Sequence, residues 1–286
     1  MFLFIGYAIV LAASVGTYAV HGSLAALYMP LEYVAIVGMM AGGFVAGNGS
    51  KEIKATLSAL PSVLKGSRFT KALYLDLLSL LFEILAKVRK EGLMSVENDI
   101  EHPEESGIFQ KYPNIVSDHH VMEFITDYLR MMVGGNLNAF EIENLMDIEI
   151  ETHHHEAHVP AHIMAKTADA VPAYGIVVAV MGVVNVMGSV GEPPAVLGKM
   201  IGGALVGTFI GILVSYGFVA PIASQLEQKA EEGSKIYQCV KMVLLASMNG
   251  YAPQVAIEFC RKVLYSTERP SFLELEEEVK SRKSQK

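Results

Sequence analysis

AVPAYGIVVAVMGVVNVMGSVG, residues 170–191, holds no Asp, Glu, Lys or Arg. Its length is close to the ~20 apolar residues that a helix needs to cross ~30 Å of hydrocarbon. Three other stretches share the pattern. Residues 2–20, FLFIGYAIVLAASVGTYAV, lie in an opening run of 31 residues without one charged side chain. Residues 31–48 are apolar with Glu32 at their outer edge, and residues 200–222 are uncharged. The spacing therefore predicts four membrane helices. The first is expected to be retained and not cleaved as a leader, because no Lys or Arg precedes Lys51 to make a basic n-region.

Composition agrees. The chain has 286 residues, of which 52% are hydrophobic and 18% charged, with a net charge of −8. A soluble domain carries nearer ~25% charged residues, and a disordered chain needs low hydrophobicity. The acidic balance argues against a nucleic-acid-binding module with a broad basic patch. Cys239 and Cys260 make neither a disulfide framework nor a CxxC pair.

Lys and Arg are distributed unevenly. Residues 50–166 hold 11 of them and residues 223–286 hold 10, while residues 21–30 hold none and the third-to-fourth connection only Lys199. The positive-inside bias puts both charged segments, and with them both termini, in the cytoplasm. The expected organisation is a membrane hairpin over 1–49, a cytoplasmic helical domain over 50–166, a second hairpin over 167–223 and a cytoplasmic tail over 224–286. In the middle segment, Leu73, Leu77, Leu80, Leu81, Ile84 and Leu85 recur at helical spacing among Asp76, Glu83, Lys87 and Arg89. Helices are expected over 117–133 and 139–151, separated by Gly134-Gly135-Asn136. Tail helices are expected over 224–247 and 254–265, with a last one behind the Ser271/Glu274 capping box. No stretch alternates with period two, so the fold class is all-α.

Ionisable residues inside a membrane normally mark function. Here Glu32, Asp169 and Lys199 all lie near helix ends, and the middle of every predicted span lacks carboxylate, His, Lys or Arg. If an ion crosses with this protein's help, the titrating group belongs to a partner. What the spans offer is small residues and hydroxyls. Gly203, Gly207 and Gly211 recur every fourth residue, as do the pairs Gly38/Gly42 and Gly43/Gly47. Such stripes serve internal helix packing or contact with another subunit. Thr208, Ser215, Tyr216 and Asn185 either hydrogen-bond locally or line a wet path. Pro172 and Pro221 fall at the cytoplasmic ends of their spans, as a plain helix start and stop or as a pair of hinges.

Other motifs fail. His153, His154, His155, His158 and His162 are dense enough to suggest zinc, but HEAH is one residue short of HExxH, and Pro160 is expected to break the helix before a third ligand. A solvated polar turn is the expectation, with no metal. Ser117-Asp118-His119 are only sequence neighbours, and phosphate-cradling glycine loops are missing. Nothing here assembles an enzyme.

Several strings together, among them GYAIVLAASVGTYAVHGSLAALYMPLEYVAIVG, KGSRFTKALYLDLLSLLFEILAKVRKEG, DIEHPEES, FEIENLMDIEIETH and YAPQVAIEFCRKVLYSTERPSFLELE, resemble the MotA family of flagellar motor stator proteins. The resemblance covers nearly the whole chain in order. It implies an inner-membrane subunit that forms a homo-pentamer around a MotB dimer, with MotB supplying the membrane aspartate and the proton as coupling ion, without a cofactor. It implies rotor contact with FliG through a basic and an acidic residue, matched by Arg89 and Glu97. Pro172 and Pro221 match the family's two prolines, Thr208 its threonine facing the ion path, and Tyr216 a nearby aromatic. Sodium-driven relatives have a threonine where this chain has Ala179, and losing that oxygen disfavours a hard cation. The alternative is an ExbB/TolQ-like energy-transducing subunit, against which the extra N-terminal hairpin argues.

Overall fold

A computed structural model describes residues 2–135 and 138–284; Asn136, expected to separate two helices, lies outside the described residues. Among the described residues the chain is helical and contains no strand. Four helices are long and apolar enough to cross a membrane: Phe2–Val20, Leu24–Ala46, Ala139–Met187 and Pro194–Met248. By contact the chain divides into one unit of residues 1–66 with 157–228 and another of residues 67–156 with 229–286. These packing units place residues 50–66 and 157–166 with the two hairpins.

In the first unit, Pro30 opens the helix Pro30–Ala46 within the second span, at a first turn where its missing N–H costs nothing. The second, third and fourth spans share a small core of Ile36, Val171, Val178, Val206 and Ile210. The Phe2–Val20 window buries none of its residues within the chain. Apolar side chains on such a surface suit lipid or other subunits.

The second unit is a helical domain with its own core. Thr70 caps the Lys71–Glu91 helix by accepting from Leu73 N. Leu77, Leu80, Leu81, Ile84 and Leu85 are buried as the periodicity predicts, together with Tyr74, Leu78 and Phe82. They pack with Phe109, Tyr112, Phe124, Ile125, Val240, Val243 and Leu244. Cys239 and Cys260 are both free and buried in this core. The capping box forms, with Ser271 N donating to Glu274 Oε2 at 2.6 Å and Glu274 N to Ser271 Oγ at 3.2 Å.

Two expectations about proline are overturned. Pro160 and Pro172 both lie inside the single 49-residue helix Ala139–Met187, so neither breaks nor starts a helix. Pro221 is likewise interior to the Pro194–Met248 run, where a π-helical segment, Ser215–Val219, precedes it. A proline ends a helix most effectively when a residue able to take the left-handed cap follows. Residues 139–174 contain no glycine, and the helix continues. The histidine run therefore sits on a helix and not in a turn.

Candidate functional site

The predicted residues fall in two places. Within the helical domain, Arg89 occupies the last turn of the Lys71–Glu91 helix and Glu97 opens the short helix Glu97–Glu101. Between them the chain turns at Gly92, whose φ of +87° is the left-handed region that glycine alone enters cheaply. Ser95 Oγ donates to Gly92 O at 2.6 Å and tightens the turn.

Arg89 and Glu97 are both exposed and make no hydrogen bond or ion pair among the described residues. Their neighbours do the opposite. Lys87 Nζ reaches Asp99 Oδ2 at 2.6 Å, and Ser106 Oγ donates to Asp99 Oδ1 at 2.6 Å. Asp99 and Ser106 are buried. Ser106 Oγ also accepts from Ile108 N at 3.2 Å. The result is a fixed edge on which Arg89 and Glu97 stand unpaired among the described residues. Sequence reasoning missed Lys87, Asp99 and Ser106 as its scaffold; the acidic string DIEHPEES contained two of them without saying which carboxylate turns inward.

The second place is the pair of helices made by the third and fourth spans. A methyl group on Gly211 would stand 2.8 Å from Gly175 Cα, and one on Gly207 would stand 2.8 Å from Val178 Cγ1. A methyl on Gly182 would meet Ala204 Cα at 2.9 Å. Two faces of small residues thus let the third and fourth helices touch backbone to backbone. Gly203 instead faces Met29 of the second span, where an added methyl would stand 3.1 Å from Met29 Cε. The Gly203/Gly207/Gly211 stripe is internal packing. A methyl added to Gly38 or Gly42 would meet nothing within 4 Å beyond their own helix turns, and both glycines are exposed.

Ala179 and Thr208 are half-buried, and the amide of Ala179 lies 3.3 Å from a methyl placed on Gly207. Thr208 makes no hydrogen bond among the described residues, unlike Ser14, Thr17 and Thr167, whose hydroxyls bond their own helix backbones. Tyr216 is exposed. Ser215 Oγ donates to Ala168 O at 2.6 Å and is fully buried, tying the fourth helix to the third. Pro172 and Pro221 are both half-buried.

A proline at 221 removes one helical N–H and crowds the preceding turn. The π-helical segment Ser215–Val219 lies just before it, and Tyr7 Oη donates to the carbonyl of Phe218 inside that segment at 2.8 Å. The Tyr7 and Phe218 rings lie 4.8 Å apart. The first span therefore docks its tyrosine on the π-helical segment of the fourth. No pattern in the sequence pointed to Tyr7.

The histidines separate. Within the helical domain, His153 Nε2 lies 3.0 Å from Tyr237 Oη and His154 Nδ1 lies 2.7 Å from Ser234 Oγ. Burial pushes the His153 imidazole below its usual range, and the nearby His120 adds to the shift. Because the helix is unbroken at Pro160, a break there is no longer a reason to set metal binding aside.

Two family descriptions match the chain: Motility protein A N-terminal over residues 4–92 and the MotA/TolQ/ExbB proton channel family over residues 117–238. The chain is 53% identical to Motility protein A of Escherichia coli (strain K12), over 99% of this chain and 97% of that one. Its fold is similar to a solved flagellar MotAB stator complex from Bacillus subtilis, with a TM-score of 0.71 and 26% identity over 89% of this chain and 92% of that one. A C. jejuni MotAB structure has a TM-score of 0.75 over 94% of this chain and 98% of that one; at 20% identity it speaks to the fold alone.

Proposed function

The chain belongs to the motility protein A family, and from that premise we propose that it is a multi-pass inner-membrane stator subunit of the flagellar motor. With a MotB-type partner it forms a proton-conducting complex that turns ion-motive force into torque. The role is mechanical and not enzymatic. The observation that carries the reading is the absence of any carboxylate, His, Lys or Arg from the middle of the four apolar runs, beside a half-buried Thr208 hydroxyl that has no partner among the described residues. A helix bundle of this kind needs a second chain to bring the carboxylate that binds and releases the ion.

In this reading five copies surround a dimer of the partner, with both termini of each copy in the cytoplasm. The outward glycines Gly38 and Gly42 and the first span, which buries none of its residues, suit subunit contacts. Protonation of the partner's carboxylate shifts a two-state arrangement of helices bending at Pro172 and Pro221. Arg89 and Glu97, free of internal partners, then push on the rotor protein FliG. Such exposed pairs are individually modest and salt-sensitive. Ala179 in place of a hydroxyl favours the proton over sodium. Residues 4–92 match the N-terminal hairpin that three-span ExbB/TolQ-like proteins lack, which sets that alternative aside.

Expression together with its MotB-type partner should restore swimming to cells lacking their own motility protein A. Swimming speed should follow proton-motive force and ignore external sodium. Arg89→Glu should insert normally but rotate poorly. Paralysed cells with correctly inserted complex would overturn the reading, and sodium-scaled torque would overturn the proton assignment.

A further inference from the structure

A cavity of about 160 Å³ opens between the second and third spans, lined on one side by Met40, Gly43 and Asn48 and on the other by His162, Lys166 and Tyr174. That is well above the ~10–15 Å³ that one water needs. Its depth relative to a membrane is fixed from both sides. The uncharged run of the second span ends between Asn48 and Lys51, and the uncharged run of the third begins just after Asp169. The cavity straddles both changes, so its polar end stands at headgroup level and its apolar end, at Met40 and Tyr174, just inside the hydrocarbon.

Its chemistry is cationic and incompletely satisfied. Lys166 and His162 are exposed into it, and neither makes an ion pair or hydrogen bond among the described residues. Asn48 Nδ2 and Thr167 Oγ1 are engaged with backbone carbonyls of Phe44 and Ile163, so they shape the wall. The Tyr174 hydroxyl packs where a side chain on Gly43 would sit; that glycine keeps the space open. Asp169, on the same helix, does not line the cavity.

We propose that this cavity is a binding site for the phosphate of an anionic phospholipid, with Lys166 and His162 taking the headgroup and Met40, Phe44 and Tyr174 the first acyl carbons. Basic pockets between membrane helices at the interface are suited to anionic headgroups. A lipid is favoured over a free phosphate because half the wall is apolar and lies at acyl-chain depth. The site does not depend on the stator reading.

The test is native mass spectrometry of the purified complex in detergent, titrated with phosphatidylglycerol, phosphatidylcholine or inorganic phosphate. Phosphatidylglycerol should bind at least about tenfold more tightly than phosphatidylcholine, the ratio that 1.4 kcal/mol produces. Lys166→Gln should abolish that preference while leaving the helical circular dichroism intact, and Lys199→Gln, in the first turns of the fourth span and outside the cavity, should leave it unchanged. Equal binding of the two lipids, an unaltered preference in Lys166→Gln, or an equal loss in Lys199→Gln would overturn the proposal. So would inorganic phosphate binding as tightly as phosphatidylglycerol.

Discussion

Lys87 Nζ stands 2.6 Å from Asp99 Oδ2, and this ion pair pins the end of the helix that carries Arg89 to the short helix that begins at Glu97. Asp99 is 9% exposed and receives Ser106 on its other oxygen. The two exposed charges therefore project from a turn braced by a buried carboxylate, and their spacing is held by groups that never meet a partner.

Lys87→Ala leaves Asp99 buried with Ser106 alone. A hydrogen bond to a charged group contributes about 1.5–3 kcal/mol, and removing one partner also leaves the other's desolvation uncompensated. The variant should melt several degrees lower in detergent and lose torque although Arg89 and Glu97 are intact. A variant with unchanged melting and full torque would show that the brace is dispensable.

The two glycine faces should separate cleanly. Gly211→Ala drives a methyl to 2.8 Å from Gly175 Cα, where backbone faces backbone and nothing can swing aside. Overpacking of this kind costs about 1–3 kcal/mol. Gly38→Ala meets nothing within 4 Å of its own chain, so the isolated subunit should melt as before. If Gly38→Ala then prevents ring assembly, that face is an intersubunit contact. Equal melting of Gly211→Ala and the parent would contradict the close helix contact.

His153 gives the helical domain a pH dependence of defined sign. Burial lowers its pKa in the folded state below the ~6.5 of an unfolded chain. Between the two values the unfolded chain binds more protons, so stability rises with pH across that window and falls as the pH drops below about 6.5. Arg68, Asp118, His120 and Glu156 also act on the ring. Melting temperatures measured from pH 7.5 to 5 should decline, and His153→Gln should flatten the decline. An identical slope in the variant would assign the effect elsewhere.

How far the sequence carried the reading depended on the kind of constraint. The bilayer imposes a length, so residues 2–20 and 170–191 announced themselves and the structure has helices there. The Leu77–Leu85 periodicity was equally legible because one face of that helix is buried. Pro160 and Pro172 misled because a proline weakens a helix locally, whereas the 49-residue helix around them is set by everything it packs against. Arg89 and Glu97 carried no intrinsic signal, being ordinary exposed charges that only a family resemblance singled out. Asp99 and Tyr7 were invisible for a different reason: their partners, Lys87 and Phe218, are brought to them by tertiary structure.

Pro221 offers a test in which stability and function should move in opposite directions. The fourth helix takes a π-helical course over Ser215–Val219 just before it, and Tyr7 Oη engages the carbonyl of Phe218 there. Restoring an N–H with Pro221→Ala lets the helix run regular and relieves a strain that proline imposes on helix interiors. The variant should melt at or above the parent. If bending at this point transmits the ion's movement, a straightened helix should conduct or rotate poorly despite its greater stability. Tyr7→Phe should act the other way, removing one hydrogen bond and lowering the melting temperature by a degree or two, since such bonds within membranes average about 0.6 kcal/mol. Torque measured on tethered cells separates the cases. Full torque in Pro221→Ala would remove this proline from the mechanism, and a stability loss in that variant would show that the π-helical course is imposed by packing against the first span and not by the proline.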